Sequence, residues 1–212
     1  MSRVIFINMG MKILEKILEK ILEFIISAIS GQKTPENTEI QTNEKSSVVE
    51  KPETKEFVME NQITKNFTLK ELTYSSTAVK RKIDNTPTEA EYKNMVNLCE
   101  KILQPLRDKL GKPITINSCY RCPKLNAAVG GAKKSQHMTG KAADIEVKGM
   151  SNYDLAIFIK NNFKFDQLIL EYCDNLKNDI NSGWVHVSYD SNENRNQCLT
   201  INKSGTKVGL FK

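Results

Sequence analysis

The chain has 212 residues, 39% of them hydrophobic and 26% charged, which is enough for one globular domain of ordinary size plus an extension. Its net charge of +6 fits nucleic acid or any other polyanion, including an anionic bacterial cell wall. No nucleic-acid-binding motif accompanies this charge, so we expect no nucleic-acid partner.

The first predicted element is an amphipathic helix over residues 12–30, in a segment that we assign to residues 1–31. Ile13-Leu14-Glu15-Lys16 is repeated in Ile17-Leu18-Glu19-Lys20, and at about 100° per residue the apolar side chains share one broad arc. Charged residues interrupt every apolar run well short of the roughly 18 residues that a membrane span needs. We therefore expect contact with a membrane surface, docking of a partner, or self-association through residues 12–30.

Residues 32–63 are predicted to be a polar, disordered linker, because they lack hydrophobic periodicity and nothing in them needs a packed core. The folded domain is expected to occupy residues 64–212. The chain has five cysteines, of which only Cys119 and Cys122 form a C-x-x-C pair. Without a second such pair a closed four-cysteine zinc site is not expected, and we interpret the cysteines as reduced thiols.

Helical and extended segments alternate irregularly along this domain. Thr86-Pro87-Thr88-Glu89 is typical of a helix start with a capping box, Pro105 is expected to kink or divide that helix, and Gly111 to end it. Further helices are predicted at 123–129 and 152–163, and strands at 113–117, 141–147, 166–172 and 184–189. This order predicts an α+β fold, a small antiparallel sheet with flanking helices, rather than a doubly wound sheet.

The chain has only two histidines, and both lie in segments that indicate a metal site. His137 belongs to the pattern S-x-H-x-x-G-x-A-x-D, which starts at Ser135 and ends at Asp144, and His186 belongs to Trp184-Val185-His186. Two imidazoles and one carboxylate are a standard three-ligand set for a catalytic zinc, with the fourth position left for water. The sequence therefore predicts one Zn²⁺ held by His137, Asp144 and His186, and hence a zinc hydrolase.

The alternation of side chains along the predicted strands supports one cleft. Each of the three strands at 141–147, 166–172 and 184–189 has an apolar face, and the opposite faces carry Asp144, Glu171 and His186 respectively. If the three strands pair in one sheet, these side chains line a common cleft, and His137 reaches it from the preceding loop.

These segments resemble the D-Ala-D-Ala carboxypeptidase and dipeptidase family of zinc peptidases, in the small version found in bacteriophages and bacteria. Besides the two histidine segments, the resemblance includes Phe67-Thr68-Leu69-Lys70-Glu71-Leu72, Ile83-Asp84-Asn85 and Ser118-Cys119-Tyr120-Arg121. It implies hydrolysis of a peptide bond in peptidoglycan stem peptides, as a D-Ala-D-Ala-type carboxypeptidase or an endolysin-like endopeptidase. It leaves open whether the protein, made in a bacterial cytoplasm, acts at the cell wall or is carried by a phage.

The general base departs from the family pattern. The family usually places an acidic residue three positions before its second metal histidine, and this chain has Gly183 there. We expect Glu171 to be the base, because its strand face agrees with that of the metal ligands. Asp174 and Asp179 are the alternatives. If the base is lost, the chain is a catalytically weak or inactive wall-binding or structural module of the same fold.

The resemblance also assigns residues that contact the substrate. Arg121 matches the arginine that the family places before its first metal histidine, and its guanidinium could bind a substrate carbonyl or carboxylate and stabilise developing negative charge. We expect Ser135 and Gln136 to orient the loop or to donate hydrogen bonds to the substrate. Trp184 either forms a wall of the cleft or simply packs.

Overall fold

The computed structural model describes residues 57–173 and 182–211. The segment 12–30 that is predicted to be an amphipathic helix, most of the predicted linker, Asp174 and Asp179 lie outside the described residues. Within those ranges, no helix combines the length and the apolar character that a membrane crossing needs.

Six α-helices are described, together with one π-helical turn and one 3₁₀ turn. The helices are α1 Leu69–Thr73, α2 Ser76–Arg81, α3 Glu89–Leu98, α4 Gln104–Leu110, α5 Pro123–Ala128 and α6 Asn152–Asn162. A π-helical turn, Cys99–Leu103, joins α3 to α4, and a 3₁₀ turn, Gln136–Thr139, precedes the second strand of the main sheet.

The helix start at residues 86–89 lies two residues later than predicted. The N-cap is Thr88, whose backbone N–H donates to the Glu91 carboxylate at 2.8 Å, so the capping box is Thr88–Glu91. Thr86 instead donates its hydroxyl to Asp84. The predicted helix is divided by the π-helical turn, which ends at Leu103 two residues before Pro105, and Gly111 ends α4 at φ +61° as predicted.

The strands form two sheets. β1 Gln62–Thr64 and β2 Phe67–Thr68 make a small antiparallel pair, and six strands make the main sheet in the order β3-β4-β6-β5-β7-β8. The six are β3 Thr115–Ser118, β4 Ala142–Glu146, β5 Gln167–Glu171, β6 Trp184–Ser188, β7 Gln197–Asn202 and β8 Gly205–Val208. The predicted α+β class is confirmed, but the main sheet is mixed, because β5 and β7 run parallel.

One face of β4, β5 and β6 closes the hydrophobic core. Their inward side chains are fully buried and belong to the same cluster as the apolar face of α3 and the following turns; they are Ala143, Ile145, Leu168, Leu170, Val185 and Val187. Burying one such Val, Leu or Ile side chain contributes about 1.5–3 kcal/mol. The core therefore holds these strands in a single register, and that register decides which residues face the other side of the sheet.

Candidate active site

Three buried side chains converge on the outer face of β4 and β6. His137 Nε2 lies 3.1 Å from both Asp144 Oδ1 and His186 Nδ1, and the last two atoms are 3.0 Å apart. Four ligands arranged tetrahedrally at the usual zinc distances of about 2.0–2.1 Å lie about 3.3 Å from one another. The three atoms therefore have nearly the spacing of three corners of a zinc coordination sphere, and the group could hold a metal ion.

The sheet register and a tight turn bring these residues together. Asp144 on β4 is directly opposite His186 on β6 in the antiparallel ladder, so both side chains leave the same face. His137 lies in the 3₁₀ turn, which ends at Gly140 with φ +69°. A Cβ on Gly140 would lie 2.5 Å from the carbonyl oxygen of Glu91 in α3, so the turn can pack this closely only with glycine. The predicted common face is confirmed.

The hydrogen bonds of His137 leave it ready to bind a cation. Its Nδ1 lies 2.6 Å from the carbonyl oxygen of Cys119, which can only accept, so the ring proton is on Nδ1. Burial lowers the pKa of His137, which keeps the ring neutral and leaves a lone pair on Nε2. That lone pair faces a carboxylate oxygen of Asp144. Two acceptors this close are stable only with a cation between them, so the donor set fits a zinc ion.

Asp144 is the anionic member of the group. Burial raises the pKa of Asp144, but its contacts with the His137 and His186 rings outweigh burial, so this pKa lies below its usual range. Arg121 adds a second positive group, with its Nη1 3.8 Å from Asp144 Oδ2. The lowered pKa keeps the Asp144 carboxyl in the ionised form that a metal ligand needs.

A cleft of about 430 Å³ lies over the three side chains. Every predicted site residue of the described ranges lines it, namely Arg121, Ser135, Gln136, Glu171 and Trp184 together with the three that converge. Asp174 and Asp179, the alternative bases, lie outside the described residues.

The departure from the family pattern at Gly183 has a structural reason, which involves the neighbouring residue Glu171. Glu171 ends β5 opposite Trp184 of β6, on the cleft side of the sheet. Gly183 has φ +69°, and a Cβ there would overlap the carbonyl oxygen of Glu171 and lie 2.7 Å from the backbone nitrogen of Cys173. Position 183 therefore has no room for an acidic side chain, while the neighbouring strand supplies a carboxylate to the same cleft. Burial raises the pKa of Glu171, and the charge of Asp144 raises it further.

We expect Gly183→Ala to destabilise the protein more than Gly149→Ala does. Both glycines have a left-handed backbone, with φ +69° and +75°, so each alanine loses roughly 1–2 kcal/mol from conformation. No atom lies within 4 Å of a Cβ on Gly149, whereas one on Gly183 overlaps the β5 backbone and adds about 1–3 kcal/mol more. Thermal unfolding of the two variants measures the difference, and equal losses would mean that the close approach at residue 183 is not rigid.

Comparisons with known proteins agree with this geometry. A family model described as Peptidase M15 matches residues 65–188, more than half of the chain. The chain belongs to the peptidase M15 family. One curated relative, a zinc D-Ala-D-Ala carboxypeptidase of Streptomyces albus G, is 50% identical over 44 residues, which are 20% of this chain and 17% of that protein. The family, the zinc-named relative and the His137–Asp144–His186 group together support one Zn²⁺ as the cofactor of this M15 peptidase.

Arg121 borders the M15 cleft beside the predicted metal ligands. Its backbone N–H donates to the carbonyl oxygen of His137 at 3.1 Å, and its Nη2 donates weakly to the hydroxyl of Ser135 at 3.4 Å. Its Nε is buried and has no partner among the described residues. The guanidinium is therefore held at the cleft with hydrogen-bonding capacity still free.

Sequence reasoning missed Tyr172, which also lines the cleft. Its side chain is 46% exposed, and its ring lies 5.6 Å from that of Trp184. Its backbone has φ +52°, an unfavourable conformation for an aromatic residue, stabilised by a hydrogen bond from its N–H to Ile201. Nothing in the sequence marks this conformation. Trp184 both packs against Tyr172 and lines the cleft, so both interpretations of it hold.

Proposed function

We propose that this M15 peptidase hydrolyses a peptide bond in peptidoglycan stem peptides, with His137, Asp144 and His186 as its zinc ligands. The observation that carries the proposal is the convergence of their three ligand atoms at 3.0–3.1 Å beneath a cleft that also contains Glu171. The substrate class is supported by the name of the Streptomyces relative and by the resemblance of the two histidine segments.

Glu171 is proposed as the general base. Zinc, when bound, makes water more acidic and polarises the scissile carbonyl. The Glu171 carboxylate takes the water proton and passes it to the leaving amine, a role for which a carboxyl with a raised pKa is suited. Its place in the cleft supports catalytic competence over the inactive-module alternative, because an acid is present there although residue 183 is glycine.

Arg121 is proposed to bind the substrate carbonyl or carboxylate and to stabilise negative charge as it develops. Arg121 lines the cleft, its buried Nε has no partner among the described residues, and a planar guanidinium can bind a carboxylate through two parallel hydrogen bonds. Ser135, Gln136 and Trp184 are proposed to contact the substrate from the same walls.

Arg121→Lys is expected to lower kcat/KM by roughly tenfold or more, because lysine keeps the charge but loses the fork. Zinc content should stay at the wild-type level, since Arg121 is not a proposed ligand. Arg81→Lys on the exposed surface of α2 is the matched control and should behave as wild type. Wild-type kinetics in Arg121→Lys would show that the fork takes no part in the reaction.

The direct test of the function combines metal analysis of the purified protein with digestion of purified peptidoglycan. Free D-alanine among the products, identified by mass, indicates a carboxypeptidase, whereas cleavage inside or between stem peptides indicates an endopeptidase. Bound zinc without any hydrolysis would overturn the proposal in favour of a binding or structural module of the same fold.

A further inference from the structure

The side-chain amide of Gln136 is held in one orientation by a buried carboxylate. Gln136 Nε2 donates to Asp166 Oδ2 at 2.7 Å. Asp166, which is 4% exposed, also accepts two hydrogen bonds of 2.6 Å from the guanidinium of Arg195 and one of 3.2 Å from its backbone N–H. These interactions join the turn before β4, the start of β5 and the loop before β7.

The chemistry of Asp166 decides which end of the Gln136 amide faces it. Hydrogen bonds from Arg195 hold the pKa of Asp166 below its usual range, so the group is an ionised carboxylate that only accepts. The amide nitrogen must therefore face Asp166, and the amide oxygen must face away. That oxygen, Gln136 Oε1, is buried and accepts no hydrogen bond from any described residue.

The side-chain amide of Gln104 differs from that of Gln136 because both its nitrogen and its oxygen have hydrogen-bond partners. Its Nε2 also donates to a carboxylate, Asp108 Oδ1, at 2.9 Å. Its Oε1, however, accepts from the Thr64 hydroxyl and the Asn66 backbone N–H, both at 3.0 Å. Leaving a buried acceptor unpaired costs about 1–3 kcal/mol. Buried amide oxygens without a partner among the described residues also occur at Asn126 and Asn152, but of these three residues only Gln136 lines the cleft.

We propose that Gln136 Oε1 accepts a hydrogen bond from a backbone N–H of the peptide substrate, and that Asp166 and Arg195 are positioning residues that give the amide this polarity. The sequence suggested that Gln136 orients the loop or donates to the substrate. One N–H of its amide donates to Asp166, and the oxygen is the amide atom left without a partner. The inference rests on the proposed function and adds a requirement to it. A substrate must present an amide N–H, rather than an ester oxygen or an N-methyl group, at the point that meets Gln136.

The test compares a stem peptide with analogues in which one amide N–H at a time is replaced by an ester oxygen. For wild type and for Gln136→Met, the ratio of kcat/KM for peptide over ester is measured at each position. Dividing the two ratios cancels the intrinsic reactivity of the ester. We expect the quotient to be roughly fivefold to tenfold at one position, the scale of one neutral hydrogen bond, and close to one at the others. Gln104→Met, outside the cleft, is the matched control and should give one throughout.

Asp166→Asn separates positioning from general support of the fold. An asparagine can donate to Gln136 Oε1, which would let the amide turn around, so the preference for the N–H should fall while zinc content stays unchanged. Adding Gln136→Met to Asp166→Asn should cause no further loss of preference. A merely structural role would lower both kcat/KM values alike and leave their ratio intact.

Two different results separate a failure of this inference from a failure of the proposed function. If wild type cleaves the stem peptide but Gln136→Met shows the wild-type ratio at every position, the inference is wrong and the proposed function stands. If wild type cleaves neither peptide nor ester while binding zinc, the proposed function is wrong and this inference falls with it.

Discussion

His137→Ala is expected to lose the zinc ion and, with it, detectable hydrolysis. In the proposed ligand set His137 contributes one of three ligand atoms, so its removal takes away a metal bond and opens the geometry of the other two. Changes in the residues that merely support a metal ligand typically lower affinity by about 10–100-fold, so loss of a ligand itself should exceed that. Metal content by mass spectrometry and zinc affinity by chelator competition measure the effect.

Two further variants complete that experiment. His186→Ala should behave as His137→Ala does, because its Nδ1 is an equivalent corner of the same group. Thr139→Ala alters the same turn at an exposed position and should keep both zinc and activity. A wild-type protein that takes up no zinc at micromolar supply would contradict the proposed ligand set.

Glu171→Gln should keep its zinc but lower kcat by roughly 100-fold or more, the usual scale for a correctly placed proton carrier. Glutamine preserves the size and polarity of the side chain, so the cleft keeps its shape while the carboxylate is lost. Zinc content and kcat are measured on the same preparation.

Glu146→Gln is the matched control for that variant. Glu146 is also the last residue of a strand in the same sheet, but it bonds Asn117 and does not line the cleft. The control should keep wild-type turnover. Near-normal turnover in Glu171→Gln itself would move the role of base to Asp174, Asp179 or solvent water.

Local periodicity made the convergence of Asp144, Glu171 and His186 on one cleft predictable. Strands that close a core alternate apolar and polar side chains, so the sequence of each strand indicates which of its residues face outward. The pattern S-x-H-x-x-G-x-A-x-D then predicts that His137 lies beside Asp144 and His186. The assignment of His137, Asp144 and His186 as the zinc ligands stays a prediction until metal binding is measured.

The edge strand β8 and the Asp166 interactions could not be read in the same way. β8 is exposed along its whole length and therefore carries no alternation that a pattern could detect. Asp166 and Arg195 are 29 positions apart, and only the parallel pairing of β5 with β7 brings them together. The helix start was misplaced because Thr86 and Thr88 are both suitable N-caps, and the choice depends on the reach of Glu91.

The close approach of Gly183 to the β5 backbone bears on how active and inactive members of such families are told apart by sequence. A search that requires an acid three positions before the second histidine would discard this chain as a dead enzyme. The catalytic requirement, however, concerns the volume in which a carboxylate must stand, and in this chain β5, not the segment before β6, carries a carboxylate to the cleft. When one strand fills the space with backbone, the other becomes the natural carrier, so surveys for lost activity should score the spatial neighbourhood rather than a fixed alignment column.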